Sequence, residues 1–470
     1  MRDPGGILGR IVQRKRSDIA ARLGGVSLGD LRSRAQPTRL SLGRALAAQG
    51  ARFIMEVKRG SPSAPGLRDS CDAAAQARAY AGAASAVSVV TDTPFFGGSL
   101  DDLRAVRGAF AGPILAKDFI VDLRQVAEAR LHGADAVLAI LAVLDNEDAA
   151  AVIREADALG MDVLVEAHDE AEVRRAVALR APIVGINNRD LRTLEVDLGV
   201  TARVAPLVPS DRVVVAESGI SGRADVARLA PFADAFLVGS ALMRAPRPAE
   251  TARALAFGRV KVCGVREAHD VELAASVGAA FAGFVMVPNT PRAVTAEEAE
   301  PLAEAARRRG TRTAGVYRNE KLMQVAVSAS RLGLDAVQLH GEEDGEYISA
   351  LRNLLPPATE IWAAGAVGSE VPARRPCADR ILFDTKVGNA SGGTGRVFDW
   401  GRVRGRPELS SGLLAGGLNP ANAEAAARVG AWALDVGSGV ETSPGRKDAR
   451  KLGAFFDALR LRARREHAPC

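Results

Sequence analysis

Aromatic residues are scarce in this sequence, and their shortage limits the partners it can bind. Phe, Trp and Tyr make up 4% of the 470 residues, whereas single-stranded nucleic acids are usually bound by stacking aromatics beside a basic stripe. The net charge of +6 is scattered along the chain. Its basic segments at 14–16 and 461–466 are typical of solvated helix faces. We therefore predict no nucleic-acid partner.

Cysteines and long apolar runs are scarce as well. Cys71, Cys263, Cys377 and Cys470 stand far apart without a CxxC pair, so neither a disulfide framework nor a metal site is predicted. No apolar stretch reaches membrane-spanning length, and the first residues have no apolar core long enough for a secretory signal. We expect a cytoplasmic protein without a membrane partner.

The sequence does contain a repeated rhythm of short apolar runs. Sixteen runs, each followed by a polar or glycine-rich tail, lie between residues 52 and 441 and form two sets of eight. They are rich in Val, Ile, Leu and Ala without a two-residue alternation, which is typical of parallel strands buried on both faces. The first set opens with RFIMEVKRG and AVSVVTD, and the second opens with RVKVCG and FAGFVMVP.

Amphipathic stretches separate these runs. They carry helix formers, as in DAAAQARAYAGA and AEEAEPLAEAARRRG, and they close at glycine. Strand followed by helix, eight times over, favours a closed barrel over an open doubly wound sheet, and one such barrel takes about 250 residues. The chain is therefore predicted to be an α/β protein with two consecutive (β/α)8 TIM barrels.

The domain boundary is predicted near residue 256, where the first set of runs ends and RVKVCG opens the second. The first domain is then 1–255, including a helical extension over 1–50 that covers the barrel, and the second is 256–470. Since no Gly/Ser-rich or Pro-rich tether separates the halves, we expect them to pack together, which favours a monomer.

Polar residues cluster at the strand tails of the first half, where barrel active sites form. Glu56 and Lys58 are two residues apart, so both can point into the barrel. Buried charges are costly unless they are paired or functional. An ion-pair layer would explain one pair, but three acids and two lysines at one mouth indicate a catalytic site. The tails carry Glu56, Lys58, Lys117, Glu166, Asn187, Arg189 and Glu217.

The last two strands of this half end in small residues suited to a phosphate. Ser218 and Gly219 follow the seventh strand, and Gly239 and Ser240 follow the eighth. Backbone amides at this position, beside a short helix, form the phosphate site frequent in such barrels. A phosphorylated substrate is therefore expected.

Six segments in order make the first half similar to indole-3-glycerol phosphate synthase across residues 1–255. They are EVKRGSPS, LAKDFI, VEAH, GINNRDL, AESGI and LVGSA. The resemblance implies ring closure, decarboxylation and dehydration of 1-(2-carboxyphenylamino)-1-deoxyribulose 5-phosphate, which gives indole-3-glycerol phosphate.

The same resemblance implies a role for each polar residue. Lys117 is the general acid that protonates the ketone oxygen, which suits a side chain with a reference pKa of about 10.4. Lys58 holds the substrate carboxylate and shares the dehydration step with Glu56 and Glu166. The remaining contacts fall on Asn187, Arg189, Glu217 and Ser218 for substrate, Phe95, Phe96 and Phe119 for its ring, and Ser218, Gly219, Gly239 and Ser240 for phosphate.

The strand tails of the second half carry different chemistry. A thiol, Cys263, ends the first run, and a carboxylate, Asp384, ends the sixth. A lone cysteine on a strand is usually buried filler, but glycine-rich turns on three neighbouring tails suggest a second phosphate site. The other candidates are Arg292, Gln338 and His340 for substrate, and Gly393, Gly395, Gly416, Gly417, Gly437 and Ser438 for phosphate.

Over residues 257–460 the second half resembles phosphoribosylanthranilate isomerase, on the segments KVCGV, NTPRAV, AVQLHG, LFDTK, GGTG, LAGGLNP and DVGSGVE. The implied reaction is an Amadori rearrangement with Asp384 as general acid and Cys263 as general base. A nearby positive group should then hold the thiol as thiolate. Arg292 would bind the anthranilate carboxylate. Gly437 stands where the family usually has a serine, and this departure bears only on the affinity for phosphate.

Together the two halves predict a bifunctional enzyme of tryptophan biosynthesis, with the later step in the N-terminal barrel and no metal or organic cofactor. One alternative is the histidine-pathway isomerase, which performs an Amadori rearrangement with two aspartates. The other is a scaffold in which one barrel has lost activity. Neither explains why Cys263 and Asp384 in one half, and Lys117 in the other, all occupy strand tails.

Overall fold

The computed structural model describes residues 5–60, 72–191, 193–387, 390–391 and 397–464. They form two compact units, one running to Ala256 and including the residues from Leu461 on, the other Phe257–Arg460. Each unit contains a closed barrel of eight parallel strands, so the predicted fold class is confirmed. Within the described residues, no helix has both the length and the hydropathy that crossing a membrane requires.

The first barrel closes where its first and last strands pair, with Arg52 opposite Ala235. All eight strands are parallel to their neighbours and almost entirely buried, as expected of runs without polar alternation. The strands are β1 Arg52–Val57, β2 Ala86–Val90, β3 Ile114–Lys117, β4 Ala136–Ile140, β5 Asp162–Ala167, β6 Ile183–Asn187, β7 Val213–Glu217 and β8 Ala235–Val238.

Helices surround this barrel and several begin at acidic or hydroxyl N-caps. Asp145 and Asp169, for example, accept backbone N–H bonds at the starts of α8 and α9, which stabilises the first turn. The helices are α1 Gly6–Leu23, α2 Leu28–Arg34, α3 Leu42–Leu46, α4 Ala73–Ala79, α5 Thr93–Phe96, α6 Leu100–Ala109, α7 Arg124–Leu131, α8 Asn146–Ala158, α9 Glu170–Ala178, α10 Gly199–Val204, α11 Arg223–Leu229, α12 Ser240–Arg244 and α13 Pro248–Phe257, with a 3-10 turn at Ala205–Leu207.

The second barrel closes by pairing β17 with β9, Ala433 lying opposite Arg259. A short strand, β15, runs antiparallel to the end of β14, and β18 and β19 form a separate hairpin. The strands are β9 Arg259–Cys263, β10 Phe281–Val285, β11 Arg312–Tyr317, β12 Ala336–Leu339, β13 Glu360–Val367, β14 Arg380–Val387, β15 Ala390–Ser391, β16 Leu413–Leu414, β17 Ala433–Val436, β18 Glu441–Ser443 and β19 Arg446–Lys447.

The strand–helix alternation is interrupted in this second barrel. Residues 368–379, which connect β13 to β14, contain no helix, and Pro372 and Pro376 remove backbone donors from this stretch. The helices are α14 Ala268–Val277, α15 Ala296–Arg308, α16 Leu322–Leu332, α17 Gly345–Leu354, α18 Ala423–Ala427 and α19 Ala449–Ala458, with 3-10 turns at Trp400–Arg402, Pro407–Ser411 and Ser438–Val440.

The C-terminal segment from Leu461 groups with the first unit, although we expected the second domain to run to residue 470. The carbonyl of Leu461 accepts the N–H of Ala51 at 2.8 Å, immediately before β1. Arg464 donates its backbone N–H to Ala233 at 3.3 Å and places its guanidinium 3.8 Å from Asp234. These contacts lie beside the starts of β1 and β8, on the face of the first barrel away from the strand tails.

Candidate active sites

A cavity of about 330 Å³ opens at the carboxyl ends of the first barrel's strands. Most of the residues predicted for this site line it: Glu56, Lys58, Lys117, Phe119, Glu166, Asn187, Arg189, Ser218, Gly219, Gly239 and Ser240. Phe96 also lines it and lies 5.9 Å from Phe119 between ring centroids. Phe95 and Glu217 are not among the lining residues. The structure thus brings residues from separate strands to one concave site, as a barrel mouth requires.

Glu56 is the centre of an ion network inside this mouth. Its two carboxylate oxygens lie 2.9 Å from Nζ of Lys58 and 2.8 Å from Nζ of Lys117. Burial alone would raise the pKa of Glu56, but the two ammonium groups lower it to about 2. The carboxylates around Lys117 raise the pKa of that lysine above its ordinary value despite burial. Lys117 is therefore fully charged at neutral pH.

Glu217 lies buried behind Lys117, with Oε2 3.8 Å from Nζ. Within the described part of the chain, neither of its oxygens accepts a hydrogen bond. Burial and the nearby carboxylates of Glu166 and Glu56 raise the pKa of Glu217 to about 8. This side chain therefore holds a proton at neutral pH, which distinguishes it from the other two glutamates.

Glu166 faces the cavity from β5 and stays ionised. Its pKa is lowered because His168, Lys117 and the Asn187 amide together outweigh burial. The carbonyl oxygen of that amide accepts the backbone N–H of Arg189 at 3.0 Å, which fixes the orientation of Asn187. Arg189 in turn donates to the carbonyl of Leu194 at 2.7 Å.

The predicted phosphate residues lie at two neighbouring strand tails, Ser218 and Gly219 after β7 and Gly239 and Ser240 after β8. Ser218 and Gly219 both have positive φ, at 64° and 82°, and a Cβ on Gly239 would lie 2.1 Å from Oε1 of Glu56. Lys58 donates from Nζ to Oγ of Ser240 at 3.1 Å. Lys58 therefore links the ion network to the tail of β8 and adds positive charge beside it.

Helix α1 forms a wall of the cavity that the sequence motifs did not reveal. Ile7, Leu8 and Ile11 line the cavity from above. One turn further along, Lys15 is buried and contacts Asp92 at 2.8 Å and Asp118 at 2.7 Å. These two carboxylates raise the pKa of Lys15 against burial. The helix is thus held over the mouth by a buried charge that the amphipathic pattern alone could not identify.

In the second barrel, three predicted residues converge at the tails of β12 and β14. Oδ2 of Asp384 lies 3.3 Å from Nε2 of His340, and Nδ1 of His340 lies 3.2 Å from the amide nitrogen of Gln338. The backbone N–H of Thr385 donates to Oδ1 of Asp384 at 2.7 Å. Asp384 is therefore a buried carboxyl group that accepts a backbone N–H on one oxygen and has His340 within ion-pair distance of the other.

Cys263 ends β9, and its environment differs from our expectation. Lys261 lies two residues earlier, fully buried, with Nζ 2.9 Å from Oδ2 of Asp435 and in hydrogen-bond contact with the thiol. We expected a positive group to hold Cys263 as thiolate. Instead, burial raises the pKa of the thiol, and Lys261 offsets this only in part. The protein alone thus favours the protonated thiol at neutral pH.

Arg292 reaches the same mouth and is already oriented. Its Nε and Nη2 bind the carboxylate of Glu441 at 3.0 and 2.7 Å, and its side chain lies against Gly264, where a Cβ would come within 2.6 Å. Lys447 contacts Glu441 at 2.7 Å from the other side. The sequence motifs did not reveal the pairing of Arg292 with Glu441, because β18 follows Arg292 by nearly 150 residues.

The structure describes four of the six residues predicted to bind phosphate in this barrel. Gly416 and Gly417 have positive φ, and a Cβ on Gly416 would lie 2.2 Å from Oγ1 of Thr385. Gly437 has ordinary space, since a Cβ there would be 3.8 Å from the nearest atom. Ser438 begins a 3-10 turn. Gly393 and Gly395 lie outside the described residues.

Family models match both halves of the chain. Residues 8–255 match indole-3-glycerol phosphate synthase, and residues 260–458 match N-(5'-phosphoribosyl)anthranilate (PRA) isomerase. The two ranges coincide with the two barrels described above.

Two curated relatives match this chain over most of its length and most of their own. A "Tryptophan biosynthesis protein TrpCF" of Salmonella typhi is 42% identical over 97% of this chain and 99% of its own length. A protein of the same description from Vibrio cholerae is 43% identical over 89% of this chain and 88% of its own. The chain therefore belongs to the bifunctional TrpCF family, with an indole-3-glycerol phosphate synthase barrel followed by a phosphoribosylanthranilate isomerase barrel.

Proposed function

We propose that this chain catalyses two consecutive steps of tryptophan biosynthesis, the isomerase step in the second barrel and the synthase step in the first. The observation that carries the proposal is the placement of two different catalytic sets at the mouths of two separate barrels. Lys117 lies between carboxylates in one, and Cys263 and Asp384 lie at strand tails in the other.

The isomerase step converts N-(5-phosphoribosyl)anthranilate to 1-(2-carboxyphenylamino)-1-deoxyribulose 5-phosphate. Asp384 donates a proton to the ribose ring oxygen as the nitrogen lone pair opens the ring to a protonated imine, and His340 at 3.3 Å stabilises the carboxylate left behind. Cys263 then removes the proton from C2, and the enolamine tautomerises to the ketose. Burial raises the pKa of the Cys263 thiol, and Lys261 offsets part of that rise. Lys261 is therefore the group that favours the thiolate needed to remove the C2 proton.

Arg292 binds the anthranilate carboxylate in this step. Its Nε and Nη2 donate to the carboxylate of Glu441. Nη1 is therefore the nitrogen of the guanidinium that binds the substrate. A planar guanidinium held in this way presents its remaining donors in a fixed direction.

The synthase step consumes that ketose. Lys117 protonates the ketone oxygen as the aromatic carbon attacks, carbon dioxide leaves, and loss of water completes the indole. A positioned acid of this kind contributes about 10²- to 10⁴-fold to the rate. Glu56, with a pKa of about 2, serves to hold the two lysines. Glu166 is the better candidate for proton transfer during dehydration, because among the described residues His168 is the one cation in ion-pair contact with it.

Phosphate binding anchors the substrate in each barrel. In the first, Lys58 donates to Ser240, and Ser218 and Gly219 line the same cavity. In the second, Gly416, Gly417, Gly437 and Ser438 supply backbone amides at neighbouring strand tails. A phosphorylated substrate suits both sites.

A coupled assay tests the proposal. The purified protein should convert phosphoribosylanthranilate to indole-3-glycerol phosphate in one tube, while Lys117→Ala stops at the ketose and Asp384→Asn turns over only when ketose is added. Each variant should lose about 10²- to 10⁴-fold in its own step alone. If either substitution abolished both steps, the assignment of separate sites would fail.

We further propose that the protein acts as a cytoplasmic monomer with no nucleic-acid or membrane partner and no cofactor. The scattered basic residues and the scarcity of aromatics support the absence of a nucleic-acid partner. Sedimentation velocity across a concentration range checks the oligomeric state, since a monomer of 49.1 kDa should show a single concentration-independent species.

A further inference from the structure

His168 is a buried group next to the synthase site to which neither the motifs nor the proposed mechanism gives a role. It follows β5 directly, two residues after Glu166, and its side chain is 13% exposed. Nε2 lies 3.2 Å from Oε1 of Glu166, in ion-pair contact though without good hydrogen-bond alignment. It does not line the cavity, so it touches Glu166 from behind.

The other ring nitrogen is held by Glu172 of α9. Nδ1 lies 3.0 Å from Oε2 of Glu172, and the same oxygen accepts the backbone N–H of His168 at 2.9 Å. Glu172 is itself fixed, because its backbone N–H donates to the N-cap Asp169 at 2.9 Å. The imidazole is therefore clamped between two carboxylates on rigid elements.

The carboxylates around this imidazole favour its protonated form. Glu56 and Glu166 stay ionised, whereas Glu217 keeps its proton at neutral pH. Both oxygens of Glu56 already lie against lysines, so an imidazolium at His168 is the cation placed in ion-pair contact with Glu166. Leaving a buried carboxylate uncompensated would be costly.

We propose that His168 is a positioning residue of the synthase site, which, clamped by Glu172, orients Glu166 and keeps it a carboxylate. The proposal rests on the synthase activity proposed above. The two carboxylates raise the pKa of His168 to about 10, so the cation persists across the working pH range. Carboxylates that accept a hydrogen bond from a metal-bound histidine fix the orientation and basicity of that ligand in the same manner.

The pH dependence follows from the groups facing Glu166. Lys117 lies on β3, Asn187 on β6, Glu217 on β7 and His168 beyond β5. Without the imidazolium, burial and the Glu217 carboxyl dominate, and the pKa of Glu166 rises. At a pH below the raised pKa, each unit by which the pKa rises lowers the fraction of ionised Glu166 about tenfold.

Two measurements test the proposed role of His168. In His168→Gln, the ratio of variant to wild-type kcat/KM for ring closure and dehydration should fall at least about tenfold between pH 8.5 and pH 6. Taking the ratio cancels titration of the substrate. A flat ratio would mean that His168 has only a structural role, and the proposal would be overturned. Wild-type protein without synthase turnover would instead overturn the proposed function.

Nuclear magnetic resonance of the full chain with labelled histidine provides the second measurement and does not depend on how a variant folds. The chain has only five histidines, and the His168 signal is the one that should remain protonated to about pH 10. Glu172→Gln should lower that pKa by about one unit or more. Glu170→Gln removes an exposed carboxylate two residues away, paired with Arg174, and should leave it unchanged. A neutral imidazole in the wild type at pH 7.5 would refute the proposal.

Discussion

The two barrels share an architecture but hold their reactive groups differently. At the first mouth, opposite charges touch directly, with Glu56 within 2.9 Å of two lysines. At the second, Asp384 and Cys263 stand three strands apart, and the fixed charges lie beside them in the pairs Lys261–Asp435 and Arg292–Glu441.

This difference corresponds to the chemistry of each step. In the proposed synthase step, the proton donor must be charged at neutral pH beside the developing alkoxide, and the carboxylates around Lys117 keep that lysine protonated. In the proposed isomerase step, Cys263 and Asp384 act on different atoms of the substrate, C2 and the ring oxygen, which suits their separation. One fold thus supports proton transfer from within an ion network at one mouth and from two separated groups at the other.

The largest test concerns the buried pair under Cys263. Lys261→Met leaves Asp435 buried without its cation and should destabilise the second barrel by about 3–5 kcal/mol. All three tryptophans, at positions 362, 400 and 432, belong to this barrel, so tryptophan fluorescence during urea unfolding reports on it alone. At urea concentrations below this fluorescence transition, synthase activity should persist. An unchanged midpoint would show that the pair contributes little.

The corresponding charge in the first barrel is Lys15. Lys15→Met leaves Asp92 and Asp118 without their buried partner, at a cost of about 3 kcal/mol. We expect α1 to detach from the mouth, so that synthase kcat/KM falls at least about tenfold while isomerase kcat/KM and the fluorescence transition stay as in the wild type. Arg14→Met, which removes an exposed charge on the same helix, is the control. Equal effects of the two substitutions would contradict a specific role for Lys15.

Two glycines in one turn of the second barrel give a smaller effect. A Cβ at Gly439 would lie 1.9 Å from the carbonyl oxygen of Leu418, whereas one at Gly437 would meet nothing closer than 3.8 Å. Gly439→Ala should cost about 1–3 kcal/mol by overpacking, and Gly437→Ala should leave the fluorescence midpoint nearly unchanged. The pair is compared by urea unfolding, and a larger loss in Gly437→Ala would disprove the steric argument.

The smallest expected effect is a pH dependence confined to the first barrel. The pKa of Glu217 is raised to about 8, so its contribution is full below the unfolded value near 4.5, declines as pH rises from 4.5 to 8, and is gone above 8. Between pH 6 and pH 7 this decline costs about 1.4 kcal/mol, which corresponds to about 3–5 °C in Tm. Glu217→Gln should remove much of the decline between pH 6 and pH 7 in circular dichroism melts. A decline that persisted unchanged would exclude Glu217 as its source.

The strand tails were predictable from the sequence because a parallel barrel places every tail at one mouth. Glu56, Lys117 and Glu166 could be assigned to one site from their position after an apolar run. Cys263 and Asp384 could be assigned to a second site on the same grounds. This reasoning needs only the period of the pattern and the direction of the chain.

The partners of these residues could not be predicted in the same way. Lys15 lies on an amphipathic helix whose pattern says nothing about carboxylates more than 70 residues away. Glu441 and Arg292 are separated still further. The protonation of Cys263 was also mispredicted, because the sequence does not show that burial raises the pKa of the thiol by more than Lys261 lowers it.

The segment after α19 has a consequence for how the protein is made. Leu461 and Arg464 contact the first barrel beside Ala51, Ala233 and Asp234, yet Phe257–Arg460 must be synthesised before they exist. At about 5–20 residues per second, the ribosome takes about 10–40 s to add those residues. The first barrel therefore leaves the ribosome before these contacts exist, and it acquires them only after the second unit has been synthesised.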